Sequence, residues 1–133
     1  MPQPQGNSSS TTGRIGAEIG TALAAANIAL GAGWGTTASV AITTGANDTA
    51  GILTVTSAGT GQAQATANVT VTFADGAYAA TPRACIITLL SSSNAVTEAQ
   101  PTQGAVSTTT VSWRHSVLPV AAATYKFSYL VIA

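Results

Sequence analysis

Apolar and polar residues alternate with a period of two over much of the chain after residue 37, as is typical of β-strands that bury one face. The alternation is clearest in residues 125–133. One face of this segment carries Tyr125, Phe127, Tyr129 and Val131. The other face carries Lys126, Ser128, Leu130 and Ile132. Since the second half is apolar on both faces, we expect a strand that is covered on both sides, in the middle of a sheet or between subunits.

The same period predicts five further strands, separated by turn-forming stretches and by one long polar connection over residues 91–104. They cover residues 38–43, 51–56, 67–74, 83–90 and 105–113. In the last of these, Thr108, Thr109 and Thr110 are strongly β-prone. Six closely spaced strands without intervening helices predict an all-β antiparallel sandwich or jelly roll over residues 31–133.

Residues 1–13 are almost entirely Pro, Gln, Gly, Asn, Ser and Thr. Such a segment has little apolar area to bury, so we expect a flexible polar arm. Two interpretations follow: a disordered tail, or an arm that becomes ordered only on the surface of a partner.

Residues 14–30 follow a third pattern, in which apolar residues recur at steps of three and four. These residues are Ile15, Ile19, Ala22, Ala26 and Leu30. The spacing predicts an amphipathic helix ended by Gly31. Gly16 and Gly20 oppose a helix at a cost of about 1 kcal/mol each, so a β-arm or an extended arm is the alternative. If a helix forms here, Ile15, Ile19 and Leu23 are candidates for an interface around a symmetry axis.

Only 6% of the residues are charged, and four basic and four acidic side chains give a net charge of zero. This composition gives no electrostatic footprint for nucleic acid or for an anionic membrane. So little charge also predicts that much of the surface lies against other subunits, since exposed surfaces normally carry more. The alternative is a surface kept soluble by Ser and Thr hydroxyls.

The chain has no apolar run long enough for a membrane-spanning helix, and its start lacks the features of a secretion signal.

The residues able to carry chemistry are few and scattered. The acids are Glu18, Asp48, Asp75 and Glu98. His115 is the only histidine, and Cys85 lies inside an apolar strand, where a small core residue is the expected role. No serine lies in a Gly-x-Ser-x-Gly context. We therefore predict that the chain is not an enzyme and holds neither a metal nor a cofactor.

Two aromatic positions are candidates for contact with a partner. Trp34 stands in the glycine-rich segment 31–35, which we expect to be a mobile hinge. Trp113, Arg114 and His115 are consecutive, and Trp and Arg are common in binding hot spots, so they are a candidate interface or sugar-contact patch. The favoured alternative is the end of a strand with Trp113 in the core.

Several segments together resemble a β-sandwich module of tailed-phage virion proteins, which is found in fibre tips and capsid decoration proteins. Residues 31–40 read GAGWGTTASV, and residues 47–56 read NDTAGILTVT. Residues 69–74 and 77–83 read VTVTFA and AYAATPR. Residues 124–132 read TYKFSYLVI. The resemblance therefore spans residues 31–133. Between residues 89 and 104 the sequence departs from the pattern of the module.

This resemblance implies a homotrimer of jelly-roll-like domains that leaves the host by lysis, with no catalytic residues. The first hypothesis is a virion decoration (cement) protein, whose segments 1–13 and 14–30 bind the major capsid protein. The second is a receptor-binding tip joined to a tail protein, with Trp34, Tyr78 and Trp113 as candidates for contact with a host glycan. A minor tail or head-fibre component with no ligand of its own is a third possibility. None of these roles involves nucleic acid or a membrane.

Overall fold

Eight β-strands form the framework of the structure, a computed structural model that describes residues 20–94 and 100–133. The strands are β1 (Ile28–Leu30), β2 (Ser39–Ile42), β3 (Ala50–Thr56), β4 (Asn68–Thr72), β5 (Ala84–Ser92), β6 (Thr102–Val106), β7 (Thr110–Arg114) and β8 (Thr124–Ile132). Two short 3-10 turns, Ala25–Asn27 and Gln64–Thr66, precede β1 and β4.

The strands form two four-stranded sheets that pack in a sandwich-like arrangement. The first sheet has the order β1-β4-β7-β6, and the second sheet has the order β2-β3-β8-β5. Every pair of neighbouring strands is antiparallel. The predicted all-β antiparallel class is therefore confirmed, whereas the jelly-roll topology and the trimer stay predictions. The predicted strands 38–43, 51–56, 67–74 and 83–90 correspond to β2, β3, β4 and β5.

β8 lies in the middle of the second sheet, between β3 and β5. Its pairing with β3 runs without interruption, whereas its pairing with β5 contains a bulge between Leu89 and Ser91. The residues of β8 that face the interior are buried, namely Tyr125, Phe127, Tyr129 and Val131. The predicted central strand and its buried face are thus confirmed.

The core lies between the facing sides of the two sheets. The first sheet contributes Val69, Val71, Val111 and Trp113, and the second contributes Leu53, Val55, Tyr125 and Phe127. All of these side chains are fully buried, and burial of each one stabilises the fold by roughly 1.5–3 kcal/mol. The alternation seen in the sequence therefore sets which face of each sheet points inward.

The predicted strand 105–113 is instead a hairpin of two strands, β6 and β7. Ser107 makes the turn between them, because its Oγ accepts hydrogen bonds from the N–H groups of Thr109 (3.1 Å) and Thr110 (3.0 Å). The Ser107 N–H also donates to the Thr110 carbonyl at 2.9 Å. These local side-chain bonds offer the backbone a turn and outweigh the β propensity of the threonines.

The helix predicted over residues 14–30 is wrong for its described part. Residues 20–24 contain no helix, Ala25–Asn27 forms a single 3-10 turn, and β1 then pairs with β4. The β4 backbone offers β1 a hydrogen-bonding partner, and this tertiary pairing overrides the helical spacing of the small residues. The β-arm alternative is what the described residues show. The sandwich therefore begins before residue 31, while residues 1–13, Ile15 and Ile19 lie outside the described part.

Candidate functional site

Trp34 lies in a buried aromatic cluster that fills one end of the sandwich. The cluster consists of Trp34, Trp113, His115, Tyr125 and Phe127, and each of these side chains is fully buried. The Trp34 ring centroid lies 5.3 Å from that of Tyr125 and 6.1 Å from that of Phe127. Contacts of this kind stabilise the interior by about 0.5–1.5 kcal/mol each beyond the burial of area.

The segment 31–35 holds Trp34 in place and is not the hinge expected from its glycines. The N–H groups of Gly31 and Gly33 donate to the carbonyls of Asn68 (2.8 Å) and Thr66 (3.0 Å). The indole Nε1 of Trp34 also donates to the Asn68 carbonyl, at 2.9 Å. A Cβ at Gly33 would lie only 2.0 Å from the carbonyl oxygen of Ala63. The glycines therefore permit close backbone packing, and the segment is tied down.

His115 follows β7 and lies in the aromatic cluster with its side chain closed off from solvent. Its backbone N–H donates to the Ala67 carbonyl at 3.0 Å, whereas neither ring nitrogen has a hydrogen-bond partner among the described residues. Burial lowers the pKa of His115, because a charged imidazolium would lose its hydration there. The ring is therefore held neutral. It is not arranged as a general base, which must reach the proton that it removes.

The Trp113-Arg114-His115 stretch is divided between the two faces of β7. Trp113 points inward and stacks on Tyr129, with ring centroids 6.1 Å apart, while Arg114 is exposed on the other face. The core position favoured for Trp113 is confirmed. The surface-patch hypothesis is wrong for Trp113 and His115, because strand alternation buries both rings and leaves only Arg114 outside.

Two other candidate contact residues also pack inward. Leu23 is buried, and its N–H donates to the Ala46 carbonyl at 2.9 Å. Tyr78 is half-buried and lies edge-on against Phe73, with ring centroids 4.9 Å apart. The aromatic side chains that the glycan hypothesis requires, Trp34, Tyr78 and Trp113, therefore pack against the core instead of standing out from the surface.

Cys85 is buried on the inner side of β5, as the sequence predicts for a small core residue. Burial raises the pKa of its thiol to about 11, because the thiolate would be poorly solvated. At neutral pH the sulfur is accordingly a protonated, weakly reactive group. Its position supports a packing role and not that of a nucleophile.

Asp48 and Asp75 connect three loops at one end of the sandwich. The buried Asp48 carboxylate accepts hydrogen bonds from the N–H groups of Ala74 (2.6 Å) and Asp75 (2.8 Å). The exposed Asp75 carboxylate accepts the N–H of Thr21 at 2.9 Å and also its hydroxyl. These bonds from Thr21 lower the pKa of Asp75. Within residues 20–94 and 100–133, no three His, Cys, Asp or Glu side chains are grouped so as to hold a metal ion.

The outer face of the second sheet, which points away from the core, is divided into two halves. The apolar half consists of Ala50, Ile52, Ala84, Ile86, Leu130 and Ile132. The hydroxyl half consists of Thr54, Thr56, Thr88, Ser91 and Thr124, together with Lys126. In the apolar half, Leu130 stands directly opposite Ile86 on one side and Ala50 on the other.

The apolar half is not covered by the part of the chain that the structure describes. Ile86 is 53% exposed and Ile132 is 41% exposed. The inner face of β8 is covered as expected, whereas cover of its outer face by another subunit stays a prediction. The apolar residues on both faces of residues 129–132 indicate part of this surface in the sequence. Nothing in the sequence pattern indicates that Ile86 lies beside them.

Comparison with known protein families, with characterised proteins and with solved structures found no match to this chain. Among the described residues, no helix is long and apolar enough to cross a membrane.

Proposed function

We propose that the chain is a non-enzymatic structural protein of a bacteriophage particle. Its role is that of a capsid decoration (cement) protein, which forms a homotrimer, binds the major capsid protein and stabilises the capsid surface. The proposal starts from the resemblance of residues 31–133 to virion β-sandwich modules, and the antiparallel sandwich is consistent with that resemblance. The virion is accordingly the proposed location.

The main support for a role in binding other molecules is the position of the side chains that could otherwise take part in catalysis. His115 and Cys85 are enclosed in the core, and the buried Asp48 carboxylate is occupied by two backbone N–H groups. Each of these groups therefore serves the packing or the connection of loops. The outer surface, rich in hydroxyl groups and poor in charge, is left as the part of the sandwich that meets other molecules.

The anchor at Thr21 supports a role for the segment before it in capsid binding. Thr21 is bound through both its N–H and its hydroxyl to Asp75, and Leu23 is buried two residues later. A force on the preceding residues is therefore transmitted to the sandwich itself. In the proposed mechanism, residues 1–13 bind the capsid, and thirteen extended residues reach at most about 45 Å. Three such segments on one trimer would turn weak contacts into a strong attachment through multivalency.

Deletion of residues 1–13 tests this mechanism. The full chain and the deletion variant are each incubated with undecorated capsids, and the pelleted protein is measured after sedimentation. We expect the full chain to co-sediment and the deletion variant to stay in solution with an unchanged oligomeric mass. A control in which residues 1–13 are replaced by Gly and Ser of equal length separates the chemistry of the segment from its length. Equal binding by all three proteins would refute the role of this segment.

The receptor-binding tip remains the alternative proposal from the sequence, with a tail protein as its partner. Its candidate glycan contacts pack against the core, so no observation on the described residues favours it. The same experiment distinguishes the two functions. A trimer that ignores capsids but binds host cells would support the tip and would contradict decoration.

A further inference from the structure

Buried polar groups without a partner are concentrated at one place in the fold, the end of β7. The Trp113 indole N–H, both ring nitrogens of His115 and the Ser116 hydroxyl are buried without a hydrogen-bond partner. Within residues 20–94 and 100–133, these are the buried side-chain polar atoms that lack one. Because buried polar groups are normally hydrogen-bonded, such a concentration calls for an explanation.

The side chains packed against the His115 ring are uncharged. Segment 31–35 contributes Trp34, and β8 contributes Tyr125 and Phe127. Tyr125 is the only ionisable side chain among these three. Arg114 precedes His115 in the chain but is exposed on the opposite face of β7.

The acidic residues of the described part lie elsewhere. Asp48 is next to Thr49, whose carbonyl accepts the Val131 N–H near the far end of β8, and Asp75 is bonded to Asp48. Burial alone lowers the pKa of His115, with no charged neighbour to offset it. A protonated imidazole is therefore stable only where water reaches it.

The two segments that adjoin His115 are held unequally. Segment 31–35 is fixed to Thr66 and Asn68 by backbone and indole hydrogen bonds. The loop of residues 116–119 receives, from the described residues, one hydrogen bond, which the Gln64 side-chain amide donates to the Ser116 carbonyl. The loop is therefore the part of the enclosure that opens at the lower cost in free energy.

The driving force that acid supplies is large enough for a local change and too small for unfolding. A water-exposed imidazole with the ordinary pKa of 6.5 is about thirtyfold more often protonated than neutral at about pH 5. Acid therefore shifts the equilibrium toward an open form by up to about thirtyfold. Folding equilibrium constants of about 10³–10⁸ exceed this factor, whereas local openings extend down to almost no free-energy cost.

We propose that His115 is a pH-sensitive switch at this end of the sandwich. At neutral pH the uncharged ring packs on Trp34. In acid the protonated ring leaves the enclosure together with residues 116–119, so that Trp34 becomes accessible to water while both sheets stay paired. This inference goes beyond the capsid role, since the opening does not depend on what the protein binds.

The test is acrylamide quenching of tryptophan fluorescence in the full chain at about pH 7.5 and about pH 5. Both indoles are fully buried in the closed form. We expect the Stern–Volmer constant to rise at least about twofold in acid, with an unchanged far-ultraviolet circular dichroism spectrum. His115→Phe keeps a flat ring that does not bind a proton, so its quenching should be the same at both pH values.

A second pair of variants tests the loop and leaves His115 in place. Gln64→Ala removes the bond to Ser116 and should favour opening about threefold, so that the rise in quenching begins about half a pH unit higher. The matched control is Gln62→Ala. The Gln62 amide donates to the Ala58 carbonyl and not to the loop, so this variant should keep the pH dependence of the parent.

Nuclear magnetic resonance of the parent chain provides a readout that needs no variant. His115 is the only histidine, so its ring protons are identified without ambiguity. Their titration should follow the rise in quenching. Equal quenching at both pH values, the same rise in His115→Phe, or a rise accompanied by loss of the circular dichroism signal would overturn the proposal. Capsid binding at neutral pH is unaffected by any of these results, so the proposed decoration function is tested separately.

Discussion

The Trp34 and His115 rings lie stacked in the interior, with centroids 5.6 Å apart and planes inclined by 23°. Tyr125 approaches the same imidazole at 4.6 Å. A neutral ring suits this apolar enclosure, whereas a protonated ring would place an unpaired charge in it. The stability of the fold should therefore depend on pH through His115.

We expect the free energy of unfolding to fall as the pH drops below 6.5, the ordinary pKa of a histidine. Burial lowers the folded-state pKa, so between the two pKa values the unfolded chain binds a proton that the folded chain does not. The stability from the neutral ring is complete above the unfolded pKa. It decreases toward the folded pKa by at most about 1.4 kcal/mol per pH unit.

Urea unfolding at about pH 7.5 and about pH 5 measures this effect, a window chosen above the ordinary carboxylate range. The control is His115→Phe, which keeps a flat ring in the cluster and removes the titrating group. Its stability should change much less between the two pH values. Identical pH profiles for both proteins would exclude His115 as the source.

Gly33 should not tolerate a side chain. A Cβ at this position would lie 2.0 Å from the Ala63 carbonyl oxygen and 2.3 Å from the Ala67 nitrogen, both of them backbone atoms. Gly33→Ala should therefore displace the loop that carries Trp34 and cost about 1–3 kcal/mol or more. Thermal or chemical unfolding measures the change.

Gly59→Ala is the matched control for that substitution. A Cβ at Gly59 meets nothing within 4 Å, and its φ angle is not in the left-handed region. This variant should keep the stability of the parent or gain up to about 1 kcal/mol, because alanine restricts the unfolded chain. If both alanine variants unfold alike, the close packing at Gly33 does not limit stability.

The Cys85 thiol should be protected from modification until the protein unfolds. It is buried, and its pKa of about 11 leaves little thiolate at neutral pH. Because Cys85 is the only cysteine, reaction with a chromogenic disulfide reagent reports on this site alone. We expect slow reaction in native buffer and complete reaction in guanidinium chloride. Rapid stoichiometric reaction of the native protein would show that β5 opens readily.

Asp48 should contribute more to stability than Asp75, although both carboxylates accept two hydrogen bonds. Asp48 is buried and holds the N–H groups of Ala74 and Asp75, whereas Asp75 is exposed. Asp48→Ala should cost about 1–3 kcal/mol, since it leaves part-buried donors without their acceptor. Asp75→Ala should cost less because water replaces the lost bonds. Chemical unfolding of both variants gives the order, and a larger loss in Asp75→Ala would contradict it.

The strands that the sequence predicts correctly are those in which a single interaction sets the pattern. In β8, burial of Tyr125, Phe127 and Tyr129 against the core produces the alternation directly. Residues 108–110 are predicted as strand because threonine has a high intrinsic β propensity. The turn that forms there arises from the Ser107 side chain. A local hydrogen bond of this kind has little effect on amino-acid composition, so composition alone does not predict the turn.

The surroundings of Trp34 were beyond prediction for a different reason. Its glycine neighbours are compatible with either a hinge or a tightly packed loop. Only the approach of Thr66 and Asn68, distant in sequence, selects the packed loop. The apolar half of the outer face is similar, because Ile86 joins Leu130 through strand pairing across more than forty residues. Contacts that arise from topology have no local signature in the sequence.

The position of β8 has a consequence for the order of folding. Its partners β3 and β5 do not pair with each other, and both are synthesised before it. A nascent chain that has exposed β1 to β7 holds every strand of the first sheet but lacks the middle strand of the second. The first sheet can therefore assemble during synthesis, whereas the second waits for residues 124–132. Because those residues pair with partners far back in the chain, closure of the sandwich should be a late and slow step.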